Sequence, residues 1–110
     1  GSDNQQFATF LGAVAGMVIG ADIGASLDEL DRRMLNNNYQ TALETSPTNT
    51  AVAWKNPDSG NSGSVKPTRT FYRADTVCRE YTQEIIVGGR KEQGYGQACR
   101  SADGDWQIVK

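Results

Sequence analysis

The sequence predicts an α+β fold, in which a glycine-zipper helix and an amphipathic helix precede an antiparallel β-meander of about five strands with a cross-strand disulfide. Three observations support this prediction. The first part of the chain has apolar residues at helical spacing, the second part alternates strand-like runs with turn residues, and the 2 cysteines lie opposite each other in the central hairpin. A chain of 110 residues has the size of one domain with a modest core.

The N-terminal part of the chain combines a polar start with an apolar, glycine-rich segment. Residues 1–6 begin with Gly-Ser, and we expect a disordered remnant of a tag or leader there. Residues 7–27 are predicted to form a helix that is apolar almost all round and carries one stripe of glycines, namely Gly12, Gly16, Gly20 and Gly24. These four glycines cost an isolated helix about 4 kcal/mol relative to alanine, so close packing against another helix must offset the loss.

Three environments fit this glycine-rich segment, and the sequence leaves them open. It can be a zipper that is embedded in or inserts into a membrane, a soluble helix buried against another protomer or the sheet, or a segment disordered in isolation. The uncharged run 7–21 corresponds to roughly 22 Å of helix, which is shorter than a hydrocarbon core of about 30 Å. An extension to Leu27 would span the membrane but would place Asp22 inside it. We expect the stripe to contact membrane lipid or a second copy of the chain.

Residues 28–46 are predicted to form the amphipathic helix. Ser26 and Glu29 match a capping box at its start, and the residues before Pro47 end it. Its apolar positions recur at helical spacing and include Leu27, Leu30, Met34, Leu35, Tyr39, Ala42 and Leu43. The acidic cluster at its start consists of Asp28, Glu29 and Asp31. We interpret this cluster as carboxylates placed at the positive end of the helix dipole rather than as a cation site.

Residues 51–110 are predicted to form the antiparallel β domain, and its central hairpin predicts the disulfide. Gly88 and Gly89 have the composition of a two-residue hairpin turn. Counting outward from that turn places Cys78 opposite Cys99 in a non-hydrogen-bonded pair, where Cα atoms approach to about 4.5 Å. That distance suits a disulfide, so we predict the bond and an oxidising compartment.

Other features of the β domain concern its register and its buried face. Pro67 indicates an edge or bulged strand, and the same hairpin register places Tyr81 opposite Gly96, a packing device in which the ring covers the glycine. A turn at Asp103-Gly104 would put Trp106 and Ile108 on the face that carries the cysteines. Alternation does not identify the buried face, and we expect the amphipathic helix to cover one of the two.

The composition excludes several kinds of chemistry. The chain has no histidine, so it lacks the commonest general base, the serine–histidine triads and the usual metal ligand. The formal net charge of −2 does not indicate a nucleic-acid partner. We therefore predict that the protein is not an enzyme and has no catalytic residues, no metal, no cofactor and no nucleic-acid partner.

Aromatic residues are concentrated in the predicted sheet. Five of them form a possible binding face that can stack on sugars or bases: Trp54, Tyr72, Tyr81, Tyr95 and Trp106. The commoner role of such residues is packing in the core and pairing across strands, so both interpretations stay open.

Several motifs, taken in order, resemble those of a known family. They are GASLDELDR at 24–32, WKNPDSGN at 54–61, PTRT at 67–70, CREYT at 78–82, ACR at 98–100 and DGDWQIV at 103–109. Together they resemble the 17-kilodalton-type (Rickettsia-type) surface antigen family of outer-membrane lipoproteins, over about residues 10–110. The family usually shows two glycine-zipper segments, whereas this chain shows one.

The resemblance implies a Gram-negative envelope protein made with a lipoprotein signal and anchored by acyl chains on an N-terminal cysteine, which this sequence does not contain. It implies no catalytic residues. We therefore expect an outer-membrane lipoprotein domain, facing the periplasm or the cell surface, with a structural or protein-interaction role. Its expected partners are outer-membrane lipid, a second copy bound through the zipper, and an envelope protein. The alternative is a periplasmic ligand-binding or inhibitor-type module that uses the aromatic sheet face.

Overall fold

The computed structural model describes residues 13–14, 17–18 and 26–109, so the predicted disordered residues 1–6 lie outside the described part. Its elements are β1 (Ala13–Val14), β2 (Met17–Val18), α1 (Glu29–Thr45), β3 (Val52–Lys55), β4 (Ser62–Arg73), β5 (Thr76–Val87), β6 (Arg90–Arg100) and β7 (Trp106–Val109). The strands β3 to β7 are antiparallel neighbours in chain order and form one five-stranded sheet. The α+β class and the predicted meander are therefore confirmed.

The N-terminal segment differs from the prediction where the structure describes it. β1 and β2 form an antiparallel pair, with Ala13 opposite Val18 and Val14 opposite Met17. The predicted zipper helix is therefore wrong at these four residues. Each of the two strands contains a valine, Val14 or Val18, whose β-branched side chain favours extended backbone. The four glycines of the predicted stripe lie outside the described residues.

The helix α1 begins with a capping box that differs from the predicted one. Asp28 Oδ1 accepts a hydrogen bond from the Asp31 amide at 2.7 Å, and Asp31 Oδ2 accepts one from the Asp28 amide at 3.0 Å. Two orphan amides are thus satisfied reciprocally, two residues after the predicted Ser26 start. The predicted box fails because aspartate caps as well as serine does, and here the aspartate pair occupies both positions.

α1 packs on one face of the sheet, called here the covered face. This face carries Val65, Tyr81, Ile85, Ala98 and Trp106. The helix buries Leu35, Tyr39, Ala42 and Leu43 against it, so most of the apolar positions predicted from the helical spacing form the core. Leu30 is the exception, since it is 39% exposed.

The register of the central hairpin is the one that the turn predicts. Gly88 and Gly89 have φ angles of 59° and 81°, which a type I′ turn requires, and Tyr81 lies opposite Gly96. Cys78 is paired with Cys99 and bonded to it, with Cα atoms 4.0 Å apart. The predicted disulfide is therefore confirmed. β4 has a bulge directly after Pro67, as its proline indicated.

The register of β7 corrects one prediction. Ile108 lies opposite Ala98, so Ile108 and Trp106 are on the covered face and not on the face of the cysteines. The connection runs over residues 101–105 and is closed by a hydrogen bond of 2.7 Å from the Ser101 amide to the Asp105 carbonyl. It is longer than the expected two-residue turn and shifts the pairing by one residue. Such a shift moves every side chain of a strand to the opposite face.

Candidate functional site

The face of the sheet that α1 leaves uncovered, called here the open face, carries polar side chains in cross-strand rows. One row consists of Lys66, Thr82 and Tyr95 on β4, β5 and β6. The next row consists of Ser64, Glu84 and Gln93 on the same strands. These two rows line a cavity of about 500 Å³, together with Ala51, Gln83 and Gly94. Its volume lies within the range of small-molecule sites.

The charges of this cavity are not balanced. The Glu84 carboxylate is 3.3 Å from Lys91 Nζ and accepts a hydrogen bond of 2.9 Å from Gln93 Nε2. Lys66 has no ion-pair partner among residues 26–109. The cavity is therefore lined by one half-buried lysine whose charge is available to an anion.

The five aromatic residues of the predicted binding face do not form one surface. The side chains of Trp54, Tyr81 and Trp106 are buried in the core, at 7%, 1% and 4% exposure. Tyr72 and Tyr95 are 70% and 81% exposed, but they lie on opposite faces of the sheet, since Tyr72 is paired with a residue of the covered face and Tyr95 belongs to the open face. Large aromatic rings supply the most apolar area for a core, and this small domain uses three of them for that purpose.

The acidic cluster at the helix start contains a buried hydrogen-bond hub. Asp31 is fully buried, and its Oδ1 accepts hydrogen bonds from Ser59 Oγ at 2.7 Å and Asn56 Nδ2 at 2.8 Å. Its Oδ2 accepts one of 2.8 Å from Asn61 Nδ2, besides the Asp28 amide. Burial raises the pKa of Asp31, but the hydrogen bonds outweigh this effect, that of Ser59 most of all, and hold the pKa below its usual value.

This hub explains the motif at 54–61, which in the sequence was recognisable only as part of the family resemblance. Asn61 also accepts a hydrogen bond of 3.2 Å from the Gly88 amide, so the hub joins the start of α1, the β3–β4 loop and the β5–β6 turn. The signal for it was the density of short amide and hydroxyl side chains in one loop. Among residues 26–109 no cluster of three or more metal-ligating side chains is found. The hydrogen bonds that Asp28 and Asp31 exchange make these two residues capping groups.

A second polar contact holds the end of α1. Arg79 is 7% exposed, and its Nη1 donates to the carbonyl of Leu43 at 2.8 Å while its Nε donates to Thr70 Oγ1 at 3.0 Å. A cation at this position stabilises the negative end of the helix dipole. Burial lowers the pKa of Arg79, which remains charged as arginines do in proteins. The CREYT motif therefore supplies a disulfide cysteine, a helix-end cation and, in Tyr81, a core ring.

Comparison with known proteins identifies the family of the chain. A family model described as the 17 kDa outer membrane surface antigen matches residues 41–107. The chain belongs to this family. The matched region contains the disulfide, Arg79 and both rows of the open face, so these features lie in the part that defines the family.

Relatives named 17 kDa surface antigen occur in several Rickettsia species. That of Rickettsia bellii (strain RML369-C) is 48% identical over 89 residues, which cover 79% of this chain and 55% of the relative. Those of Rickettsia japonica (strain ATCC VR-1363 / YH) and Rickettsia prowazekii (strain Madrid E) are 51% and 50% identical over 87 and 83 residues, covering 77% and 74% of this chain and 54% and 52% of the relatives. The chain thus spans about half the length of these curated relatives, and the resemblance found in the sequence is confirmed. No solved structure matches.

The family is named for a surface antigen of the outer membrane. Among residues 13–14, 17–18 and 26–109, no helix has the length and apolar composition needed to span a membrane.

Proposed function

We propose that this chain is the folded domain of an outer-membrane lipoprotein, facing the periplasm or the cell surface, with a structural or protein-interaction role. The observation that carries the proposal is the Cys78–Cys99 disulfide in a member of a family described as an outer membrane surface antigen. Disulfides persist in oxidising compartments such as the periplasm and the cell surface.

A role without catalysis is supported by the way in which the buried charges are used. Asp31 accepts four hydrogen bonds, and Arg79 donates to helix carbonyls and a threonine hydroxyl. Both groups are occupied by structural contacts and are held away from solvent, whereas a general acid or base needs access to a substrate. The open face offers a polar surface on a rigid sheet, which suits binding.

The first experiment tests whether acyl chains anchor the full-length protein in the outer membrane. Cells that produce it would be labelled with a radioactive or clickable fatty acid and separated into soluble, inner-membrane and outer-membrane fractions. The expected result is label on the protein in the outer-membrane fraction, with no thiol available to an alkylating reagent until a reductant is added. A soluble, unlabelled protein with free thiols would contradict the proposal.

Residues 7–27 are proposed to contact outer-membrane lipid or a second copy of the chain, because they are apolar and rich in glycine. Gly16→Leu is the variant that tests close contact, since leucine is too large for a surface that glycine suits. Cross-linking and sedimentation of the wild-type protein and of Gly16→Leu are expected to show less self-association for the variant. Equal association would show that this stripe is not a contact surface.

A further inference from the structure

We propose that the open face binds a saccharide that carries a carboxylate, in the cavity between Lys66 and Tyr95. This inference goes beyond the envelope role and does not depend on it, because binding can be measured on the purified chain whatever its anchor. Neither the family description nor the names of the relatives assigns a ligand.

The shape of the cavity follows from the sizes of the side chains in its two rows. Lys66 and Tyr95 lie on strands that are separated by one strand, and Thr82 stands between them. Neighbouring strands are about 4.8 Å apart, so the two backbones are roughly 10 Å apart. The short side chain of Thr82 leaves a low floor between the longer side chains of Lys66 and Tyr95. A volume of about 500 Å³ can hold one or two sugar rings.

The charge of the cavity selects an anion. The charge of Glu84 is paired with that of Lys91, and Gln93 donates a hydrogen bond to the same carboxylate, which leaves the ammonium group of Lys66 as the unmatched charge among the lining residues that the structure describes. A single lysine is a point charge that suits a carboxylate, whereas tight phosphate sites usually add arginine forks or several backbone amides. The expected contact is a charge-assisted hydrogen bond from Lys66 Nζ to the ligand's carboxylate.

The remaining lining indicates a sugar rather than an apolar acid. Ser64 and Thr82 provide hydroxyls, and Gln93 provides an amide, so the floor can exchange hydrogen bonds with ligand hydroxyl groups. Tyr95 is 81% exposed and presents an aromatic ring at the rim, against which the apolar face of a sugar ring can pack. No large aliphatic side chain is among the described lining residues, which disfavours a lipid chain.

The test titrates the purified chain with two carboxylated sugars, N-acetylmuramic acid and glucuronic acid, and with N-acetylglucosamine as the neutral counterpart. Binding is followed by calorimetry and by NMR shifts of the backbone amides of β4, β5 and β6. We expect saturable binding of at least one acid, with shifts confined to the cavity rows, and binding of the neutral sugar weaker by about tenfold or more. Glucuronic acid carries its carboxylate directly on the sugar ring, and N-acetylmuramic acid carries it on a side arm. The acid that binds more tightly therefore shows which position of the carboxylate the cavity prefers.

The variants are paired with controls from the same sheet. Lys66→Gln is expected to weaken binding of the acid about tenfold or more and to leave the weak binding of the neutral sugar unchanged. Lys55→Gln removes the same charge from the same face outside the cavity, and it is expected to change nothing. Tyr95→Ala is expected to weaken binding, whereas Tyr72→Ala, which removes another largely exposed ring from the other face, is expected to have no effect.

Two results would overturn the proposal. One is the absence of saturable binding by either acid to a chain whose NMR spectrum shows that it is folded. The other is binding of the acids by Lys66→Gln that is as tight as binding by the unchanged protein. Since Lys66 is on the open face and outside the core, its replacement is not expected to unfold the domain, and thermal unfolding of each variant checks this.

Discussion

The covered face and the open face belong to the same five strands, but the polar groups on the two sides of the sheet have different surroundings. On the covered side, Asp31 and Arg79 are buried, and each makes several hydrogen bonds to loops or to helix carbonyls. On the open face, Glu84 and Lys91 form a solvent-exposed ion pair, and Lys66 has no ion-pair partner among residues 26–109. The buried charges therefore hold elements together, whereas Lys66 on the open face is available for binding at little cost to stability.

The largest expected effect comes from breaking the hub with Asp31→Asn. All four groups that contact the carboxylate are donors, so the new amide places its own N–H groups against other donors. We expect a loss of about 4 kcal/mol in the free energy of unfolding, measured by urea denaturation at pH 7.

The control for that variant is Glu29→Gln, in the same turn of α1. The Glu29 side chain is 84% exposed and lies 3.5 Å from Arg33, so its charge contributes little. A change below about 0.5 kcal/mol is expected. If Asp31→Asn also lost less than about 1 kcal/mol, the hub would not be the structural element described here.

The second effect concerns the one covalent link between strands. Replacing Cys78 and Cys99 together with alanine removes a cross-link between residues separated by 21 positions. The chain-entropy treatment of a loop of this size predicts a loss of about 3 kcal/mol. Thermal unfolding of the variant and of the reduced wild-type protein should agree with each other. An unchanged unfolding midpoint in both would show that the disulfide does not stabilise the hairpin.

A third effect tests how tightly the sheet packs at Trp54. A Cβ atom added to Gly63 would lie 2.6 Å from the Glu84 carbonyl oxygen and 2.6 Å from Trp54 Nε1. The carbonyl belongs to the backbone, so Gly63→Ala must shift the sheet, and we expect a loss of about 2 kcal/mol. Ser64→Ala, at the next position on the open face, should change the free energy of unfolding by less than about 0.5 kcal/mol. Urea denaturation of both variants measures the contrast.

The pH dependence of stability separates the two faces further. The folded-state pKa of Asp31 lies below its unfolded value, so the hub's stabilisation is fully present above the unfolded pKa of about 3.9. It is lost as the pH falls below that value and through the folded pKa. The stability difference between wild type and Asp31→Asn should therefore be constant from pH 7 to pH 5 and shrink at pH 3. A difference that stays constant down to pH 3 would contradict the lowered pKa.

The strands and the disulfide could be predicted from the sequence because they depend on local signals. Gly88 and Gly89 define the turn, and the turn determines every pair of the hairpin, including Cys78 with Cys99. The position of Trp106 could not be predicted in the same way, since several lengths of the connection at 101–105 are compatible with its residues and each length gives a different register.

The candidate site was less predictable because it depends on contacts that are distant in sequence. Asp31 and Asn61 are 30 positions apart, and no local pattern in the sequence predicts the hydrogen bond between them. The predicted aromatic binding face was wrong for a related reason. An aromatic residue in a strand gives the same sequence signal whether its ring is buried, like that of Tyr81, or exposed, like that of Tyr95. The two rows that line the cavity could not be predicted from the sequence, because they are defined by the face that α1 leaves uncovered and the sequence does not identify that face.

The smallest expected effect compares two cations on opposite faces. Lys66→Gln removes a charge from the open face, where it makes no ion pair among the described residues, and we expect a change below about 0.5 kcal/mol in the free energy of unfolding. Arg79→Gln removes a charge from the covered face, where it binds the end of α1, and we expect a loss of about 2 kcal/mol. Urea denaturation at pH 7 measures both. Similar losses of free energy of unfolding in the two variants would mean that charges on the open face also stabilise the fold. Lys66 would then be a structural residue rather than a group available to a ligand.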